Sequence, residues 1–260
     1  MNPLRALFEL LKKEYNSRYS GWGPEDALRY LPILDALRER GLESGSILDV
    51  GSGDRGISPY VRRPVVGCDV SFGLAGGFSL QRVRGFSRAL PFRDNAFDVA
   101  MSVDALEHIP GADRDASYRE LVRVARRLVV VMVPAGRPAA RQDRELADFY
   151  MRTQKKTHHF LEDHLRNGLP EPEAVLDGLR EAARLAGKEI RLAFRMRDNL
   201  RIRGWILRTA LTPGLASIRK LQLVTVAAPL AYRLIGFGDC YRLLALGDLA
   251  AASSAVSQAR

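Results

Sequence analysis

The chain has 260 residues, 47% hydrophobic and 27% charged, enough for one sizeable core with an elaboration. Its two cysteines, Cys68 and Cys240, are far apart, which excludes a disulfide framework or a cysteine-rich zinc module and makes a reducing, cytoplasmic setting the expectation. The net charge of +10, carried mostly by arginine, favours acidic partners: phosphorylated small molecules, anionic lipid headgroups or nucleic acid.

Residues 3–15 place Leu4, Leu7, Phe8, Leu10 and Leu11 on one helical face, with no signal-peptide pattern and no apolar run long enough to span a membrane. Gly21-Trp22-Gly23-Pro24 is a break, and Pro24 with Glu25 and Asp26 starts a helix over about 25–40. Strand one, Ser46–Val50, carries Asp49 and runs straight into Gly51-Ser52-Gly53-Asp54-Arg55-Gly56. Glycines there permit positive φ and close approach of a ligand, and the spacing by itself also fits a dinucleotide turn. Further strands are expected at Val65–Val70, Gln81–Gly85, Phe97–Val103 and Leu128–Val133, with an amphipathic helix over 113–127. Strand alternating with helix argues a parallel sheet covered on both faces, with ligands at the strands' carboxyl ends. After Pro134 come one or two polar helices over 138–166, a Gly168-Leu169-Pro170 break, a helix at 173–186 and a strand at Glu189–Met196. Residues 200–236 are apolar with scattered arginine, Tyr241–Leu246 reads as a last strand, and Ala250–Arg260 as a fraying tail.

Four blocks then narrow the reading. They are the glycine turn, Val65-Val66-Gly67-Cys68-Asp69, Ala89-Leu90-Pro91-Phe92, and Leu106-Glu107-His108 with the later Arg119-Glu120-Leu121-Val122-Arg123. Together they resemble the class I S-adenosylmethionine-dependent methyltransferases, type 11 group, over about residues 45–135. The resemblance implies a Rossmann-like α/β fold: a seven-stranded, mostly parallel sheet with helices on both faces. Helical inserts follow strand five and separate the last two strands. It divides the chain into an N-terminal helical cap (1–44), a core (45–199 and 238–248, with an insert at 137–170), a second helical insert (200–237) and a tail (249–260).

The resemblance also implies S-adenosyl-L-methionine as cofactor. Asp49 and the turn Gly51, Ser52, Gly53, Arg55, Gly56 would hold its aminoacyl end, and Asp69 with Val70 its ribose. Phe86 and Ser87 would flank the adenine, and Val103 and Asp104 would close the site. Arg55 stands where the family usually has a third glycine. Gly85-Phe86-Ser87-Arg88 lacks the acid that the family usually places before its Leu-Pro-Phe block. An oxygen nucleophile would want a base, and His108, His159 and His164 are the candidates. A run similar to Asp104-Ala105-Leu106-Glu107-His108 binds a divalent metal in ubiquinone-biosynthesis O-methyltransferases, so Asp104, Glu107 and His108 form a candidate metal set.

The acceptor implied is a small molecule or a glycan or lipid-linked hydroxyl. RNA methylation and a non-catalytic interaction subunit are the alternatives. His158 with Glu162 and His159 with Asp163 fall at i,i+4, the spacing of a solvated ion-paired face, or else they form a substrate wall. Residues 200–236 suit a peripheral membrane element, a cover over a lipid-like substrate, a dimer surface or a small helical cap.

Overall fold

A computed structural model describes residues 24–61, 63–73, 79–212 and 232–251, together with Ala6, Glu9, Leu10 and Lys13. The Gly21–Gly23 break, most of the 3–15 helical face, the stretch 213–231 and the tail from 252 lie outside these residues. In chain order the elements are α1 (Pro24–Glu39), β1 (Ile47–Val50), β2 (Val65–Asp69), β3 (Leu80–Arg84) and β4 (Phe97–Val103). A 3-10 turn (Leu106–His108), α2 (Gly111–Val124), β5 (Ala125–Pro134), α3 (Arg137–Gln154) and α4 (His159–Asn167) follow. Then come α5 (Pro172–Leu185), β6 (Lys188–Asn199), α6 (Leu200–Leu211) and β7 (Cys240–Ala251).

The strands form one sheet in the order β3-β2-β1-β4-β5-β7-β6. β7 alone runs against its neighbours, inserted between β5 and β6. The central strands read as apolar runs because both faces are covered. Along β5, Leu128, Val130 and Met132 face the core built with Ala27, Leu31, Ile33 and Leu37 of α1. Val129, Val131 and Val133 face the opposite core, with Tyr118 and Leu121 of α2 and Val175 and Leu179 of α5. The order reverses between β1 and β4, the crevice where ligands of such sheets bind.

Several boundaries differ from expectation. The 113–127 helix stops at Val124, because Ala125 already pairs with Phe97 in the sheet. β6 runs three residues past Met196, and β7 reaches Ala251, inside the stretch read as a tail, since the two strands pair antiparallel almost end to end. Asn199 then starts α6: its side chain accepts from the N–H groups of Arg201 (3.0 Å) and Ile202 (3.1 Å). Among the described residues no helix is long and apolar enough to cross a membrane.

Candidate functional site

The turn after β1 is built around left-handed glycines. Gly51 (φ +76°) packs so close to Ala105 that a Cβ there would lie 2.3 Å from the alanine's Cβ. Gly53 (φ +53°) donates its N–H to Oδ2 of Asp69 at 2.8 Å. Asp69 therefore joins the end of β2 to the turn, and its Oδ1 accepts from Ser71 N–H at 3.3 Å. Each oxygen keeps a further lone pair.

Asp49 lies beneath the turn, fully buried. Its Oδ2 accepts from Ile57 N–H at 2.8 Å, and its Oδ1 has no partner. Burial, with the charge of Asp69 adding to it, pushes the carboxyl up to about 7. Arg55 pairs through its guanidinium with Asp26 of α1 at 2.9 Å. At the ends of β2 and β3, Val70 and Phe86 are 60% and 56% exposed. Ser87 instead turns to α2, its hydroxyl 2.9 Å from that of Ser117.

The Leu-Pro-Phe block is a latch. Leu90 N–H donates to Glu120 at 2.6 Å, and Arg123 donates to the carbonyls of Phe92 (2.8 Å) and Leu90 (3.2 Å). It ties the loop before β4 to α2, so those residues serve the frame of the site.

Past β4, Asp104 sits at φ +46° and receives Arg242 through three contacts of 2.6–2.9 Å, with Arg29 at 2.9 Å. Burial pushes this carboxyl up, but the charges of Arg242 and Arg29 outweigh it and hold it down to about 2. Arg242 also holds Asp198, itself at φ +64°, at 2.5 Å. Asp104 is thus committed to arginine, and the metal set Asp104, Glu107, His108 is not assembled as expected.

A chamber of about 490 Å³ opens beside this cluster, between α1, the 3-10 turn, α3, α4, α6 and β7. All four histidines of the chain line it. His108 Nδ1 lies 3.2 Å from Asp163, and His164 Nδ1 lies 2.8 Å from the buried Asp143. Tyr241 donates its hydroxyl to the same Asp143 oxygen at 2.9 Å, and the Arg203 guanidinium lies 3.3 Å above the Tyr241 ring. Burial and the neighbouring His164 pull the His108 imidazole down, more than Asp163 raises it, which favours its neutral form. Burial, then the charge of Asp104, drives the Glu107 carboxyl well up.

Of the candidate bases, His108 and His164 meet at 5.1 Å between rings, while His159 is exposed and stacks on His158 at 4.7 Å. The expected His159–Asp163 pair is replaced: Asp163 serves His108 and Arg166. Among the described residues, Glu107, His108 and His164 are the group whose atoms could hold a metal ion, one ligand atom from each lying within 4.8 Å of the others. Asp143, Arg203, Tyr241 and Arg242 belong to the site without any sequence motif to mark them. The chain brings Arg242 to Asp104 across 138 positions, with no local pattern to announce it.

Residues 48–132 match the family described as "Methyltransferase domain". No curated protein matches the chain significantly in sequence. Among solved structures, a SAM-dependent methyltransferase of Thermotoga maritima, titled a possible histamine N-methyltransferase, is 16% identical with a TM-score of 0.46, over 94% of this chain and 98% of that one. The [4+2]-cyclase SpnF is 18% identical, with a TM-score of 0.47 over 84% and 79%. The YcgJ protein of Bacillus subtilis is 15% identical, with a TM-score of 0.38 over 79% and 91%.

Proposed function

We propose, since residues 48–132 are a class I S-adenosylmethionine-dependent methyltransferase domain of the type 11 group, that the protein methylates an oxygen of an acceptor seated in the chamber beside β4. S-adenosylmethionine is the methyl donor, and when bound it supplies a methyl group already activated by a sulfonium.

The residues fit such a cofactor. Asp69 keeps acceptor capacity for a ribose diol at the carboxyl end of β2. The side chains of Val70 and Phe86 are large, apolar and exposed at the neighbouring strand ends, as a purine surface requires. The unpartnered Oδ1 of Asp49 is an acceptor left for an ammonium group, and the positive-φ glycines leave the turn without side chains.

The observation that carries the oxygen reading is the polar wall of the chamber. An acceptor hydroxyl must shed its proton as its bond to the methyl carbon forms and the carbon–sulfur bond breaks. Two imidazoles, His108 and His164, each with Nδ1 turned to a carboxylate, line the chamber that would hold it. Groups of this kind draw off a proton near neutral pH. The apolar remainder of the lining, with Ile202, Ile206 and Leu207 of α6, suits a small acceptor or a lipid-linked one.

The test has two parts. Calorimetry with S-adenosylhomocysteine should show binding, weakened about 5- to 150-fold by Asp69→Ala, equivalent to about 1–3 kcal/mol for a lost charged acceptor. Transfer of a labelled methyl group should then mark hydroxylated acceptors. Label found only on nitrogen or carbon would overturn the oxygen assignment, and an unchanged affinity in Asp69→Ala would overturn the ribose one.

A further inference from the structure

The wall of the chamber carries unsatisfied chemistry. His164 is 6% exposed and Glu107 1%, yet Nε2 of His164 and Oε2 of Glu107 have no hydrogen-bond partner. Buried polar atoms without partners are costly, and their persistence in pairs calls for an explanation. The nearest approach between these two side chains, Nε2 to Oε1, is 3.8 Å, too long for a hydrogen bond and a natural spacing for two ligands of one ion.

The imidazoles are set in the same way. Asp163 takes Nδ1 of His108 at 3.2 Å, and Asp143 takes Nδ1 of His164 at 2.8 Å. A carboxylate on Nδ1–H selects one tautomer and leaves the Nε2 lone pair outward. This is the outer-shell arrangement that orients metal-ligating histidines. Asp143 is in turn fixed by the Tyr241 hydroxyl at 2.9 Å and by Arg203 at 3.4 Å. Asp104, nearby, has its charge taken up by Arg242 and Arg29, so it does not compete.

We propose that Glu107, His108 and His164 bind a divalent first-row transition-metal ion of the zinc type, with Asp143 and Asp163 as positioning residues. Two imidazoles and one carboxylate suit such a borderline ion and disfavour magnesium, which demands oxygen ligands. Three protein ligands leave the ion open positions, the pattern of a working site and not of a closed structural one. All three residues line the chamber, so those positions face the acceptor. A cation there would acidify an acceptor hydroxyl, whose proton would pass to solvent water, the imidazoles then serving as the cation's ligands. That consequence rests on the oxygen reading above, and the site itself does not.

The metal-free full-length protein is titrated with Zn2+ by calorimetry, without cofactor or acceptor, so that the outcome is independent of methyl transfer. Co2+ in place of Zn2+ gives a visible spectrum that reports imidazole coordination. One ion per chain is expected. His164→Gln and Glu107→Gln should each weaken binding by at least about tenfold, and Asp143→Asn by about 10- to 100-fold, as loss of an outer-shell partner does. His108→Gln, at a half-exposed position, should weaken binding likewise and serves where a buried variant fails to fold by circular dichroism. His159→Gln, exposed in the same chamber, should bind as the parent does. Absence of stoichiometric binding at micromolar Zn2+ would overturn the proposal. So would a folded His108→Gln of unchanged affinity, or a loss in His159→Gln equal to that in His108→Gln.

Discussion

Asp49 shows how one buried side chain couples the turn to pH. Its carboxyl is pushed up to about 7 by burial. An unfolded aspartate loses its proton near about pH 4, so between those values the folded state binds the proton that the unfolded state has lost. Stability therefore falls as pH rises across that window, and the penalty levels off above it. Asp49→Asn keeps an acceptor for Ile57 and removes the titration. It should raise stability near pH 8 by up to about 4 kcal/mol and change it little near pH 4, since each tenfold difference in proton affinity between the folded and unfolded states is worth about 1.4 kcal/mol. Urea unfolding at the two pH values checks this, and an equal effect at both would refute it. The residue itself was legible as a site candidate from its place before the glycines. Its burial was not, because that depends on Gly56, where a Cβ would meet Asp49 Oδ2 at 2.4 Å.

Between elements, packing overrides local preference. Gly178 sits inside α5, where alanine would be favoured by about 1 kcal/mol on helix propensity. A Cβ there would lie 2.5 Å from the Tyr118 ring of α2. Gly178→Ala should thus destabilise the protein by roughly 1–3 kcal/mol, as overpacking does, seen as a lower urea midpoint with unchanged slope. A gain in stability would show that the helices part without cost. The strands buried on both faces, β1, β4 and β5, could be read as apolar runs, and the glycine turn and Leu-Pro-Phe block placed them. The extra length of β6 and β7 could not, because it comes from their pairing with each other, and Asp198 or Arg242 looks like any surface charge in a basic sequence. His108 and His164 were visible as bases only one by one. Their meeting depends on α4 folding back over the 3-10 turn, where Asn167 donates to the His108 carbonyl at 2.8 Å.

For the molecule as a whole, Arg242 is the joint between the two halves of the sheet. It neutralises Asp104, just past β4, and Asp198 of β6 from a largely buried position. Arg242→Met would leave Asp198 without that partner and Asp104 with Arg29 alone. It should cost about 3–5 kcal/mol, the usual penalty for breaking a buried ion pair from one side. Chemical denaturation measures this, and a loss below about 1 kcal/mol would mean the carboxylates find water or other partners.

The insertion of β7 between β5 and β6 bears on how the site comes apart. Among the described residues β6 pairs only with β7, so the margin of the sheet beyond β5 is expected to open as a two-strand unit. Opening carries away Tyr241 and Arg242, and with them the anchor of Asp143 and the counter-charge of Asp104. The glycine turn on β1 and β2 keeps its own partners throughout. The glycine turn and the chamber wall thus sit on units expected to unfold at different free energies. On warming, amide hydrogen exchange along β6 and β7 should rise before exchange at the glycine turn.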